Sequence, residues 1–198
     1  MSYQFTKRWF KMRAKHTFKK FVKPAWEGKP ITYLEVGVFE GMSLVWMMDN
    51  VLTHKDSRAV GIDPWLMTQN ATSEQMEEVW ERAKHNTNKF GGRCELIRGT
   101  SSEVLKMMSS KGYAGIERNS VDVCMIDGDH YSWIVLDDAE SCLRLLKVGG
   151  WMIFDDVDYH IRKKGSVSTG LERFLEIHKD EVEQVWHDGF QKAFEKRR

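Results

Sequence analysis

The sequence has 198 residues, of which 41% are hydrophobic and 12% aromatic, enough for one sizeable buried core but not for two full domains. Lysine and arginine number 30 against 29 acidic residues, so the overall charge gives no argument for a nucleic-acid-binding or membrane-binding protein. No apolar run approaches the roughly 18 residues of a membrane span, and the N-terminus lacks the features of a signal peptide. We therefore expect a cytoplasmic protein that does not contact membranes.

The first 30 residues are distinctly basic, with nine lysines and arginines and one acid, Glu27. Apolar residues recur at helical spacing over residues 3–22, which predicts an amphipathic helix that is broken at Pro24. We treat residues 1–30 as a helical arm and residues 31–198 as a single domain. The arm could pack on the domain or form a homodimer contact, or it could instead bind RNA or an acidic partner.

Beyond the arm, short apolar strands alternate with helices. The predicted strands are 31–36, 58–62, 93–97, 121–126 and 151–154. The predicted helices are 41–52, 73–86, 101–109, 132–146 and 169–178. Gly149 and Gly150 are expected to end the fourth of these helices, and residues 182–186 and 190–194 predict a hairpin. This alternation predicts an α/β fold with a mainly parallel sheet covered on both faces.

Polar residues follow five consecutive strands at the point where each strand ends. They are Glu35 to Gly41, Asp63, Gly99 to Ser101, Asp127 to His130, and the pair Asp155 and Asp156. Because ligands bind at the carboxyl ends of the strands in an open parallel sheet, we expect a functional site at this edge.

Four carboxylates follow the fourth and fifth predicted strands: Asp127, Asp129, Asp155 and Asp156. Like charges at short range repel one another and raise one another's pKa, so a structural protein has little reason to gather them. A divalent cation resolves the conflict. Mg²⁺ prefers oxygen ligands and retains waters, so Asp127, Asp155 and Asp156 are the predicted ligands of Mg²⁺ or another divalent cation.

The segment Glu35-Val-Gly37-Val-Phe39-Glu-Gly41, taken with the later acidic pairs, resembles the class I S-adenosylmethionine-dependent methyltransferases. Within them it is most similar to the metal-dependent O-methyltransferases, such as the macrocin and catechol O-methyltransferases. The resemblance covers about residues 31–195 and implies a Rossmann-like, doubly wound, seven-stranded and mostly parallel sheet with a C-terminal antiparallel hairpin. One departure is Phe39, which stands where the family has its middle glycine.

The resemblance also implies roles for individual residues. The cofactor S-adenosylmethionine would be bound by Glu35, Gly37, Gly41, Asp63, Ser101 and Asp127. Asp63 would accept hydrogen bonds from the ribose hydroxyls, and the alternative is an Asp-Pro turn. Ser101 would meet the adenine amino group, and the alternative is an ordinary helix N-cap.

Matching positions in the metal-dependent enzymes place the cation on Asp127, Asp155 and Asp156 and make Asp129 a candidate general base. His130 is the rival base, because its unperturbed pKa near 6.5 suits proton removal at neutral pH. Asp129 or Asp156 could also simply cap the next segment.

The implied reaction is methyl transfer to a small hydroxylated acceptor, a sugar or a phenol. Five aromatic residues near the same edge could line its pocket or could equally be core: Trp65, Tyr131, Trp133, Tyr159 and His160. The alternative functions are an RNA or protein methyltransferase and a non-catalytic module that binds through the basic arm. A nicotinamide dehydrogenase is disfavoured because the Gly-x-Gly-x-x-Gly spacing is absent after the first strand.

Overall fold

The computed structural model describes residues 2–12, 14–67, 71–157 and 166–198. Its strands are β1 (Thr32–Val36), β2 (Arg58–Asp63), β3 (Cys94–Arg98), β4 (Val121–Ile126), β5 (Leu146–Phe154), β6 (Val182–His187) and β7 (Lys192–Lys196). Its α-helices are α1 (Trp9–Met12), α2 (Ala14–Thr17), α3 (Lys23–Trp26), α4 (Met42–Asn50), α5 (Ser73–Thr87), α6 (Ser101–Lys111), α7 (Ser132–Leu145) and α8 (Val167–His178). Within these ranges no helix has both the length and the apolar character needed to cross a membrane.

The strands form one seven-stranded sheet in the order β3-β2-β1-β4-β5-β7-β6. Strands β1 to β5 pair in parallel, and β7 lies antiparallel between β5 and β6. Successive residues of β1 face opposite sides, since Tyr33 joins one apolar cluster and Leu34 the other. The predicted doubly wound α/β fold with its C-terminal hairpin is therefore confirmed, and the carboxyl ends of β1 to β5 meet at one edge.

The N-terminal helix differs from the prediction at both ends. Residues 2–8 are not helical, and helical structure instead runs on past Pro24 to Trp26. Pro24 stands in the first turn of α3, where proline is tolerated more readily than in a helix interior. The preceding turn, Phe18–Val22, is π-helical, and the Lys23 N–H donates to the Phe18 carbonyl five residues back.

The prediction that Gly149 and Gly150 end a helix is wrong, because both residues lie inside β5. Helix α7 ends at Leu145, and the chain turns directly into the strand. A Cβ on Gly150 would lie 2.9 Å from the Asp122 carbonyl, so this position needs glycine for a close approach of backbone to backbone. The pairing of β5 with β4 shifts register at the same place.

Candidate active site

The loop that follows β1 has an unusual backbone. Gly37 and Gly41 have φ angles of +88° and +78°, and Phe39 between them has φ +52°. Such left-handed conformations are accessible to glycine at little cost and are uncommon for other residues. Phe39 thus keeps the backbone shape that a glycine would take there, and the departure from the family motif changes the side chain rather than the course of the loop.

Asp63, at the end of β2, holds this loop in place. Its Oδ2 accepts hydrogen bonds from the backbone N–H groups of Val38 (3.0 Å) and Phe39 (2.9 Å), and its Oδ1 accepts from the N–H of Trp65 (2.8 Å). Burial raises the pKa of Asp63, and these three N–H groups oppose the rise. Because a carboxylate oxygen has two acceptor positions, Oδ1 has one that no contact between the described residues uses.

Trp65 is a core residue and not part of a pocket wall. Its side chain is 1% exposed, and its indole N–H donates to the carbonyl of Phe39 at 2.9 Å. Its ring also packs against Trp80 of α5, with the centroids 4.4 Å apart. Of the two interpretations left open by the sequence, core packing is the one observed.

Glu35 is fully buried beneath the loop. Its carboxylate accepts hydrogen bonds from the hydroxyls of Tyr33 (2.7 Å) and Ser43 (2.6 Å). Burial raises the pKa of Glu35 to about 7, and the two hydroxyls work against that rise. Its contacts here are internal, and a direct role in cofactor binding stays a prediction.

Ser101 is the first residue of α6 and not its cap. The N-cap is Thr100, whose hydroxyl accepts from the backbone N–H of Glu103. The capping alternative for Ser101 is therefore wrong. Its partly buried hydroxyl lies near Asp138 of α7, whose pKa burial raises to about 6 while Ser101 opposes the rise.

The acidic residues after β4 and β5 converge, as the parallel pairing of these strands requires. One potential ligand atom each from Asp127, His130 and Asp156 lies within 4.8 Å of the other two. The His130 Nε2 and an Asp156 carboxylate oxygen are 3.5 Å apart. Asp156 reaches this position with φ +52°, a conformation that costs energy for a residue with a Cβ. These three residues could hold a metal ion.

Asp155 interacts with Asp127 of this group and also has another partner. Its Oδ1 accepts a hydrogen bond of 2.7 Å from the side-chain amide of Gln191, in the turn between β6 and β7. Burial raises the pKa of Asp155 to about 6, and the charge of Asp156 adds to the rise. Gln191 was not identified from the sequence, since nothing local to a hairpin turn indicates a partner in a distant strand end.

The carboxylates of Asp127, Asp155 and Asp156, here called the acidic cluster, repel one another. The pKa of Asp127 is raised well above its ordinary value, first by burial and then by the charges of Asp155, Asp156 and Glu35. Protonation can relieve this repulsion, and so can a bound cation, which would attract all of these carboxylates at once.

Asp129 takes a different place from its neighbours. It is exposed, and its Oδ1 accepts from the backbone N–H of Tyr131 at 2.8 Å, just before α7. Its other oxygen accepts no hydrogen bond among the contacts of the described residues. Tyr131 and Trp133 follow as a stacked pair of rings, 4.7 Å apart and 51% and 63% exposed. Tyr159 and His160, also predicted to line a pocket, lie outside the described residues.

A family model described as a methyltransferase domain matches residues 34–157, which run from β1 to the end of the acidic cluster. The chain belongs to this methyltransferase family. The prediction of a class I methyltransferase is thereby confirmed. The matched span contains the β1 loop, Asp63, Ser101 and all the acidic residues of the site, whereas the basic N-terminal arm lies outside it.

One curated relative is the uncharacterized protein R132 of Acanthamoeba polyphaga mimivirus, 33% identical over 134 residues. The match covers 66% of this chain and 53% of that protein, so the chain spans about half the length of its curated relative. The fold is similar to that of the O-methyltransferase from Bacillus cereus in complex with SAH, with a TM-score of 0.65, 21% identity and coverage of 91% of this chain and 81% of that one. It is also similar to cofactor-bound Rv0187 from MTB, with a TM-score of 0.63, 17% identity and coverage of 91% and 80%.

Proposed function

We propose that this methyltransferase binds S-adenosylmethionine and transfers its methyl group to a hydroxyl of a small acceptor, such as a sugar or a phenol, with the help of a divalent cation. The observation that carries the proposal is the convergence of Asp127, His130 and Asp156 at the carboxyl edge of the sheet. This edge also carries the β1 loop on which a class I methyltransferase binds its cofactor.

The cofactor fits the residues that are present. Asp63 Oδ1 retains an acceptor position for a ribose hydroxyl, and Ser101 begins a helix at the neighbouring strand end. The B. cereus O-methyltransferase, which has a similar fold, was solved with SAH, the demethylated cofactor S-adenosylhomocysteine. The similarity supports the same ligand class for this chain.

A divalent cation fits as well. Asp127 and Asp156 offer oxygen and His130 offers nitrogen, a mixed set that suits Mn²⁺ and other transition metals better than Mg²⁺. When bound, the cation would lower the pKa of an acceptor hydroxyl and fix its direction. Asp155 would add negative charge beside the ligands, because Gln191 holds its Oδ1 while its side chain also interacts with Asp127.

The proton of the acceptor hydroxyl needs a base within reach of the same edge. Asp129 is exposed and has one oxygen that the described contacts leave available, whereas His130 lies among the potential metal ligands. We therefore assign proton removal to Asp129, and metal binding to His130. The stacked rings of Tyr131 and Trp133 follow directly and offer a flat apolar surface for an acceptor ring.

Manganese titration of asparagine variants tests the proposal. Calorimetry or electron paramagnetic resonance should show one Mn²⁺ bound by the wild type. Asp127→Asn and Asp156→Asn should weaken that binding at least tenfold, on the order seen when metal-site residues are lost. Asp129→Asn is the matched control, because it makes the same change in the same loop outside the ligand group, and its affinity should stay close to the wild type. Equal Mn²⁺ affinity in all four proteins would contradict the metal site.

A further inference from the structure

The N-terminal strap, residues 2–9, lies on the loop that follows β1. Its central contact is Thr6, whose backbone N–H and hydroxyl donate to the two carboxylate oxygens of Glu40 at 2.7 and 2.6 Å. The N–H of Lys7 adds a longer bond of 3.5 Å to the same carboxylate. Glu40 is one of the residues between Gly37 and Gly41, so the strap is bonded directly to the proposed cofactor loop.

Glu40 is buried, with 1% of its surface exposed, yet its charge is well compensated. The oxygen that accepts from the Thr6 hydroxyl, Oε1, also accepts a hydrogen bond of 2.7 Å from Arg82 Nε of α5. A buried carboxylate with an ion pair and several donors is costly to disturb, because removing a partner leaves part of the charge unsatisfied. The sequence offers no role for this residue, and the cofactor contacts inferred above do not use it.

A second polar contact joins the strap, the β1 loop and α5. Asn86 of α5 exchanges two hydrogen bonds with the backbone of Gln4, of 2.7 and 2.9 Å. Its amide also donates to the main-chain carbonyl of Glu40 at 2.9 Å. Asn86 is 1% exposed, so these bonds are shielded from water.

Aromatic contact extends the strap to the neighbouring loop residue. The rings of Trp9 and Phe39 have centroids 4.9 Å apart, although Trp9 is 62% exposed. Asp63 therefore holds the loop through the N–H groups of Val38 and Phe39. The N-terminal strap holds the same loop through Glu40 and Phe39.

We propose that Glu40 is a positioning residue for the cofactor, and that it couples docking of the N-terminal strap to cofactor binding. The inference rests on the proposed function, since it requires the β1 loop to hold the cofactor. A loop with three residues at positive φ loses conformational entropy when it takes one shape. Contacts that hold the loop in that shape before the cofactor arrives reduce the entropy lost on binding. Coupling of this kind is reciprocal, so the bound cofactor should in turn hold the strap.

Thr6→Val tests the coupling, because it removes the hydroxyl that donates to Glu40 and keeps the shape of the side chain. Thr17→Val is the matched control. Thr17 also lies in the N-terminal arm and also donates its hydroxyl to a carboxylate, that of Asp188 in the β6–β7 turn, away from the loop. Thr6→Ser keeps the hydroxyl and should restore wild-type behaviour.

Calorimetric titration with SAH should show about fivefold to tenfold weaker binding by Thr6→Val, which is less than the full effect of one hydrogen bond to a charged group because the Thr6 N–H and Arg82 still hold Glu40. Thr6→Ser and Thr17→Val should bind SAH within about twofold of the wild type, although Thr17→Val should lower the melting temperature. Glu40→Gln should also weaken SAH binding, and adding Thr6→Val to it should cost little more. Hydrogen exchange should show residues 2–9 protected by SAH in the wild type.

The outcomes separate the two proposals. A wild-type protein that does not bind SAH would overturn the proposed function and this inference with it. If the wild type binds SAH and Thr6→Val binds it equally well, the inference alone is overturned. The same holds if Thr17→Val weakens SAH binding as much as Thr6→Val does, because the effect would then reflect general stability.

Discussion

Gly37 lies against the main-chain carbonyl of Asp127, so closely that a Cβ on Gly37 would be 2.0 Å from that oxygen. The N–H of Asp127 donates to Val36 and the N–H of Gly37 donates to Ile62, which brings the ends of β4, β1 and β2 together at this point. The loop that carries the proposed cofactor site and the strand end that begins the acidic cluster are thus in direct backbone contact.

Gly37→Ala should be severely destabilising. The new Cβ would collide with backbone that has no room to move, and φ +88° is unfavourable for alanine. We expect a loss of about 3 kcal/mol or more in the free energy of unfolding, measured by chemical denaturation. Gly41→Ala is the control: its φ is +78°, but the nearest atoms would be 3.8 Å away, so only the backbone cost of roughly 1–2 kcal/mol applies. Equal losses in the two variants would show that the contact with Asp127 is unimportant.

Glu35 should make the protein less stable as the pH rises. Its pKa is raised from an ordinary 4.5 to about 7, so between these values the folded state holds a proton that the unfolded state has released. Stability therefore falls as pH increases from about 4.5 to about 7 and is level above, with a total loss from this residue of about 3 kcal/mol. In Glu35→Gln this loss should disappear. The melting temperature of the variant minus that of the wild type should therefore increase from pH 5 to pH 8. A difference that decreases as the pH rises would contradict a raised pKa for Glu35.

The acidic cluster should destabilise the protein when no cation is present. Asp156→Asn removes one of the repelling charges, and we expect its melting temperature in chelator to exceed that of the wild type by about 2–4 °C, as about 1 kcal/mol gives in a chain of this size. Mn²⁺ should raise the melting temperature of the wild type and have little effect on the variant. A variant that melts below the wild type in chelator, with no response of either protein to Mn²⁺, would mean that the cluster is a purely structural network.

Most of the sheet could be predicted because its signals are local. Most of the parallel strands are short apolar runs bounded by turn residues, and a helix follows each of them along the chain. The errors occur where distant contacts decide the structure. Residues 2–8 belong to a segment with apolar residues at helical spacing but are not helical, because Thr6 and Gln4 bond to Glu40 and Asn86. The glycine pair at 149 and 150 is typical of a helix end, yet the pair lies within β5, where Gly150 allows a close approach between strands.

In the site too, some contacts could be predicted from the sequence and others could not. The meeting of Asp127 with Asp156 could be predicted, because the ends of adjacent parallel strands lie together whatever the intervening sequence. The bond between Gln191 and Asp155 spans 36 residues, and that between Thr6 and Glu40 spans 34. Neither partner has a sequence signal, since each is brought into place by the hairpin or the arm returning to the sheet edge. These contacts became visible only in three dimensions.

Binding of SAH by the wild type and by Asp63→Ala, measured by calorimetry, tests the central claim most directly. Asp63 holds the β1 loop through two N–H groups, and its Oδ1, which accepts from Trp65, is the acceptor proposed for a ribose hydroxyl. Asp188→Ala is the matched control, because Asp188 also accepts two backbone N–H groups, in the β6–β7 turn. We predict one SAH bound per wild-type chain, binding at least about tenfold weaker in Asp63→Ala, and near wild-type binding in Asp188→Ala. Absence of SAH binding by the folded wild type, or equal affinity in all three proteins, would contradict the account.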